Sequence, residues 1–272
     1  ERARRMAIDY VVDYSCVPKE TLGTGGILER LKGRARAQTI IRLFREHGDP
    51  RPPSEMGFEF TRNTPEGEEE TQIVVVQDLL DSAAELDPLA HHCAGCPANV
   101  TGEPFGCISF IQYPISTAGE VWLLKQLPTP EEPLPWLLLR QTVTEMGYKG
   151  HSVQALRGTG TYFKEPHGFA RNLGEFQVTT DQLFEMMFML GHVQPAHAGA
   201  LLLFLNAIPR HGEANDVTLV LDRALPADAL RERFPFQHSA DDRDDSTIIE
   251  LKRFLKALYY AWSLNVRLLL DV

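Results

Sequence analysis

The sequence predicts an α+β protein: a mixed β-sheet with helices packed on it, a helix-rich second half and a small Cys-rich metal loop. Three observations carry that expectation. Strand-like and helix-like segments mix without the strict alternation of a doubly wound nucleotide fold. Apolar residues make up 43% and charged residues 24% of 272, ordinary globular composition rather than that of a disordered or fibrous chain. Four cysteines are too few for a disulfide scaffold of this length, yet three of them sit close together in one loop.

The first element is read from Met6 to Tyr14, where Met6, Ile8, Tyr10, Val12 and Tyr14 face one way and Asp9 and Asp13 the other, a half-buried strand. A Gly-rich stretch, Leu22 to Gly26, then precedes a helix over 27–47. Leu28, Leu31, Ala35, Ile40, Ile41 and Phe44 form its apolar side, and Gly48 with Pro50 ends it. Gly57–Arg62 and Glu70–Val76 flank the turn Asn63–Gly67 as a hairpin. The β-branched run Ile73–Val76 favours strand over a competing helix from Pro65. A short helix over Gln77–Leu86 follows.

Cys107–Ile115 reads as a strand, and Thr117-Ala-Gly-Glu120 as a capping box opening a helix through Gln126. Four prolines in 127–135 make that stretch extended and stiff. The chain is expected to be a single unit over 1–272, with the Cys cluster loop at 88–107 and any subdivision at 127–135. Trp136, Leu139, Val143 and Met146 stripe the next helix. Thr179–Leu190 and Ala196–Asn206 are apolar on nearly every face and predict buried helices. Glu175–Val178 and Val217–Leu221 are short strand candidates, and Asp241–Asp245 is a solvated acidic loop. Thr247–Glu250 caps a final helix striped by Ile248, Leu251, Leu255, Leu258 and Trp262, with Phe254 and Ala257 adding a second apolar face. That pattern predicts burial inside the protein or in an oligomer contact. A last strand closes over Asn265–Val272.

Charge narrows the function classes. With 27 Lys and Arg against 37 Asp and Glu, the net charge of −10 excludes a generally basic nucleic-acid coat. The charged opening residues lead into a strand without an apolar signal core, which predicts no secretion by that route, and Asn99-Val-Thr101 is then a chance glycosylation sequon. No run of about eighteen apolar residues predicts a membrane span. A cytoplasmic protein is expected.

The sharpest chemistry lies in His91-His-Cys-Ala-Gly-Cys-Pro97 and Cys107. A Cys-x-x-Cys turn lets two thiolates converge on one ion, Gly95 permits the turn, and Cys107 offers a third sulfur. Cys16, His92 or His91 would complete a tetrahedral structural zinc site. An iron–sulfur cluster, which also takes four thiolates, is the alternative cofactor. The His-x-Glu partner of a zinc deaminase is absent, and a redox Cys-x-x-Cys would stand after a strand at a helix start.

Arg30, Lys32, Arg34, Arg36, Arg42 and Arg45, with Arg2, Arg4, Arg5 and Arg51, make the N-terminal part locally basic. Arg30, Arg34, Arg36 and Arg42 are the candidate contacts for phosphate, nucleic acid or an acidic partner. The competing reading is a solvated face balanced by the acidic turn Glu66–Glu70. Gly23-Thr-Gly-Gly26 matches neither phosphate-loop fingerprint. No short motif joins His167, His192, His197 and Glu165, and nucleophile-elbow and His-Glu-x-x-His patterns are absent. The expectation is therefore a non-enzymatic binding or regulatory protein held by structural zinc, with a protein partner or a second copy. The alternatives are a metal- or cluster-dependent enzyme on Cys93, Cys96 and Cys107, with His167 or His192 moving protons, and a Cys93/Cys96 thiol switch.

Overall fold

The computed structural model describes residues 7–63, 69–210 and 213–271. Arg2, Arg4, Arg5, Met6, the body of the Asn63–Gly67 turn, Glu66–Glu68 and Val272 lie outside the described residues. The chain divides into two units, one of Ser15–Cys96 and one that joins Glu1–Tyr14 to Pro97–Val272. The Pro-rich stretch 127–135 falls within the second.

Strand β1 (Ala7–Val12) belongs to the larger unit. The smaller unit opens with α1 (Val17–Glu46), whose helical run begins ten residues before the predicted start. Gly23, at φ +70°, breaks it into two helices at a conformation a side chain would resist. The Gly-rich stretch, expected to precede the helix, is thus a kink inside it. β2 (Gly57–Asn63) and β3 (Glu69–Val75) pair antiparallel from Gly57–Val75 to Asn63–Glu69, as the turn signal predicts. α2 (Val76–Ala84) follows without a break. Ala37, Met56 and Val76 form the buried centre of this unit, with Ile40, Ile41, Phe44, Phe58, Leu79 and Leu80 packed round them. Gly33 lets α1 approach Leu79 of α2 at 3.6 Å from where a Cβ would stand.

In the larger unit β4 (Ile108–Gln112) lies antiparallel to β1. α3 (Thr117–Lys125) follows, with Ser116 rather than Thr117 as its cap: the Ser116 hydroxyl accepts the Gly119 N–H at 3.0 Å. The predicted capping-box Glu120 is instead fully buried and bound elsewhere. Pro133 and Pro135 occupy the first turn of α4 (Pro133–Glu145), where proline's fixed φ suits a helix. α5 (His151–Arg157), the short hairpin of β5 (Ala170–Asn172) and β6 (Gln177–Thr179), α6 (Thr180–Phe188), β7 (His192–Val193) and α7 (Pro195–Phe204) come next.

The expected strand at Val217–Leu221 is helix α8 (Ala214–Asp222). Its β-branched residues mislead: Val220 is buried under Trp262, whose indole N–H donates to the Val220 carbonyl at 2.8 Å. Tertiary packing overrides a short propensity run. α9 (Ala227–Arg233), α10 (Ser246–Leu264) and β8 (Leu268–Leu270) complete the chain.

The main sheet runs β4-β1-β8-β7. Its ladders are antiparallel, and a single bridge from Ile115 to Phe163 is parallel. The alternating pattern of β1 predicts one solvated face, but Ile8–Val12 are all buried, Asp9 included. β1 is a central strand, with β4 and β8 on its edges and α10 packed on it. Tyr10 meets Phe254 of α10 edge to face at 5.2 Å; Phe188, Phe184 and Phe163 continue the aromatic row. Arginines close several helix ends. Arg171 donates to the carbonyls of Leu124, Lys125 and Leu127 after α3, and Arg210 to those of Leu203 and Phe204 at the end of α7. Carbonyls at a helix end lack i+4 partners and carry the negative end of the helix dipole, so a guanidinium is favoured there. Among the described residues no helix is long and apolar enough to cross a membrane.

Candidate functional site

Asp245 begins α10 by accepting the Ile248 N–H at 2.9 Å, which sets the helix's rotation. Ile248, Leu251, Phe254, Leu255, Leu258 and Trp262 face the core. Ile249, Lys252, Arg253 and Lys256, spaced i, i+3, i+4 and i+7, therefore form one outward strip. The strip is one wall of a cavity of about 320 Å³ that lies wholly within the larger unit.

The second wall is the segment from Phe236 to Ala240. Gln237 N–H donates to the Ala207 carbonyl at 2.9 Å and His238 Nε2 to the Leu205 carbonyl at 2.8 Å, strapping the segment to the end of α7. The His238 ring also meets Trp122 at 5.1 Å and Phe236 at 5.9 Å. The third wall is Val100 and Thr101. Their loop is stiffened from within: Gly102 N–H donates to Asn99 Oδ1, Asn99 Nδ2 to the Glu103 carbonyl, Glu103 N–H to Thr101 Oγ1, and Val100 N–H to the Gly106 carbonyl. Only glycine fits at 106, where a Cβ would lie 2.1 Å from Asn99 Oδ1 and 2.9 Å from the Glu103 carbonyl.

The lining carries Lys252, Arg253 and Lys256 against one carboxylate, Asp244. Asp244 takes Lys252 Nζ at 2.5 Å, and Lys252 also donates to the Ser239 carbonyl at 2.8 Å. Among the described residues Arg253 and Lys256 have no ion pair within 4.0 Å. Glu250 acts on Arg253 only through its field; burial pushes the Glu250 carboxyl above its ordinary value. Burial likewise lowers His238 below the usual histidine value, and the charges of Lys252 and Arg210 push the same way, so the imidazole is neutral at pH 7. A neutral ring that donates from Nε2 leaves Nδ1 as an acceptor. Nδ1 has no partner among the described residues.

Comparison with protein-family profiles, curated proteins and solved structures finds no match.

A second charged cluster lies deep in the same unit. Arg157 Nε meets Asp181 Oδ1 at 2.6 Å, Nη1 and Nη2 meet the Glu120 carboxylate at 3.0 and 2.5 Å, and the Glu165 carbonyl and Thr180 hydroxyl take the remaining contacts. Burial opposes this charge, but hydrogen bonds and fields from Glu120 and Asp181 outweigh it and raise the guanidinium above its ordinary value. The guanidinium lies 4.0 Å from the Phe163 ring centroid. Closed on every side, the cluster has no room for a ligand.

The residues singled out by sequence fall in both units. Cys16 is the residue before α1, Cys93 ends a 3₁₀ turn over Asp87–Cys93, and Cys96 N–H donates to the Cys93 carbonyl at 3.3 Å, with Gly95 at φ +71° as expected. The rings of His91 and His92 lie 3.9 Å apart. Cys107 belongs to the other unit, where its carbonyl accepts the Val12 N–H. None of the four cysteines is in a disulfide. Among the described residues, no three His, Cys, Asp or Glu side chains are placed to hold one metal ion, so the expected metal loop is not shown. Its second half, from Pro97, instead folds back on itself to become the Val100–Thr101 pocket wall.

The basic helix face is largely spent inside its own unit. Arg30 pairs with Glu85 and Arg34 with Asp87, both at 2.7 Å, and Arg34 also reaches the Ala83 carbonyl. The acidic partners therefore include the end of α2 and the residues after it, which the sequence reading missed. Burial pushes Arg36 below its usual value. Arg42 is exposed, 3.9 Å from Glu46 one turn on. His192 Nε2 lies 3.0 Å from the Gln194 amide, and buried His197 bonds the Met186 carbonyl.

Proposed function

We propose that this is a non-enzymatic binding protein whose ligand presents a phosphate-class anion to the α10 pocket. The observation that carries the reading is a concave site with two cations, Arg253 and Lys256, left without ion-pair partners among the described residues. In a chain of net charge −10, a local cluster of cations facing a cavity departs from the overall balance and favours an anionic ligand there. The cavity's volume, about 320 Å³, stands at the small end of ligand sites. A single phosphate with a short body fits that space; a nucleic-acid strand does not. Val100, Phe236 and Ile249 supply apolar surface for the body, and the well-braced walls reduce the ordering cost of binding.

Four cysteines in 272 residues are far fewer than a disulfide scaffold carries, and we place the protein in the cytoplasm on that ground. Structural zinc gains no support from the positions of Cys16, His92, Cys93, Cys96 and Cys107, and is not part of the reading. Nor does any specific observation favour the iron–sulfur enzyme, the thiol switch or a nucleic-acid contact through the basic helix.

The test is a titration with inorganic phosphate at low ionic strength, against sodium chloride of matched ionic strength. Wild-type protein binds phosphate, and R253A/K256A binds at least about tenfold more weakly, the loss expected for charge-assisted hydrogen bonds. Absence of phosphate binding by wild type, or equal binding by the double variant, overturns the proposal.

A further inference from the structure

The pocket holds a feature that phosphate alone leaves unused. His238 is fixed from three sides: Nε2 donates to the Leu205 carbonyl, Trp122 packs edge to face, and Phe236 flanks the ring. The carbonyl can only accept, so it fixes the tautomer as Nε2–H. Nδ1 keeps its lone pair, on a ring that lines the cavity. The dianion of a simple phosphate ester does not satisfy it, because it has no proton to donate.

We infer that the ligand is a hydroxyl-bearing phosphate monoester, its phosphate held by Arg253 and Lys256 and a hydroxyl of its body donating to His238 Nδ1. The inference rests on the phosphate reading and sharpens it to one chemical class. Lys252 is not the phosphate's main anchor, since Asp244 and the Ser239 carbonyl already occupy its ammonium. It lies 5.8 Å from the Trp122 ring that also packs on His238, so the α10 wall and the imidazole's wall meet at Trp122. The charged groups acting on the ring are Lys252, Arg210 and Asp244. The two cations oppose its protonation and keep Nδ1 an acceptor. A free inorganic phosphate would fill only the basic end. A ligand with a hydroxyl a few bonds from its phosphate engages both features at once.

Three probes separate the outcomes: inorganic phosphate, ethyl phosphate and glycerol 3-phosphate. Wild-type protein is expected to bind glycerol 3-phosphate about 3- to 10-fold tighter than ethyl phosphate, the range of one neutral hydrogen bond. In H238F that preference disappears and the two esters bind alike. Should H238F fail to fold, the ring ¹⁵N spectrum of the wild type decides. The His238 Nδ1 signal moves with glycerol 3-phosphate and stays in place with ethyl phosphate. Binding of inorganic phosphate with no preference between the two esters and a static Nδ1 signal overturns this inference and leaves the phosphate reading standing. Failure of all three probes to bind removes the phosphate reading, and this inference with it.

Discussion

Arg157 and the α10 strip place cationic side chains in the same unit and treat them in opposite ways. At Arg157 one guanidinium meets two carboxylates, a hydroxyl and a carbonyl, and only 3% of the residue is exposed. On α10, Arg253 and Lys256 face an open cavity without an ion-pair partner within 4.0 Å among the described residues. The difference separates structure from recognition. A closed, saturated ionic cluster has no bonding capacity left, so its role is to hold α3, α5 and α6 in register. An open cluster with unpaired cations adds little to the fold and keeps its capacity for a ligand.

The largest test of that contrast is stability. Arg157→Leu strands Glu120 and Asp181 without their counter-ion in the core, and breaking a buried pair from one side costs about 3–5 kcal/mol. R253A/K256A is expected to change stability by no more than about 0.5 kcal/mol, as for surface substitutions away from special features. Urea denaturation of the two variants beside wild type measures both. Equal losses would erase the distinction, because the α10 cations would then be part of the fold's own electrostatics.

A smaller effect is expected where architecture serves the pocket. Gly106→Ala drives a methyl against Asn99 Oδ1 and the Glu103 carbonyl, inside the loop that carries Val100 and Thr101. Overpacking of this kind costs about 1–3 kcal/mol. The more telling readout is phosphate affinity, which is expected to fall because the wall must shift. A variant that loses stability yet binds phosphate as tightly as wild type would separate the loop from the site.

The same contrast explains what could be read in advance. Local signals announced the β2–β3 hairpin, through β-branched residues on both sides of a turn sequence, and α10 followed by β8, through an apolar stripe ending near Asn265. Those elements depend on neighbours in sequence. The buried faces of β1 depend on where α10 packs, and α8 depends on Trp262 covering Val220, so strand-like patterns misled there. The pocket draws its walls from residues 100–101 and 236–256, more than a hundred positions apart, and no short motif spans that distance. Its one legible trace was the Lys252, Arg253, Lys256 spacing along a helix whose other face was plainly apolar. The cysteines drew attention because their spacing was local, but among the described residues no three His, Cys, Asp or Glu side chains are placed to hold one metal ion.

The smallest predicted effect concerns two histidines that share a bonding habit and differ in surroundings. His197 donates to the Met186 carbonyl and His238 to the Leu205 carbonyl, and burial lowers both below the ordinary histidine value of 6.5. A depressed value in the fold means that the unfolded chain takes up protons first as pH falls. Stability is therefore fully present above about pH 6.5 and is lost as pH drops through the lower folded values. His197→Phe and His238→Phe are each expected to flatten that loss, as followed by urea midpoints between pH 7.5 and pH 5.5. Ligand distinguishes them. The glycerol 3-phosphate hydroxyl donates to His238 Nδ1 only while that nitrogen is unprotonated, so acidification weakens this ester beyond the weakening shared with ethyl phosphate, whose phosphate titrates in the same way. The excess is expected to survive in the His197 variant and vanish in the His238 variant. An excess that persists without His238 would move the acceptor to another group on the pocket wall.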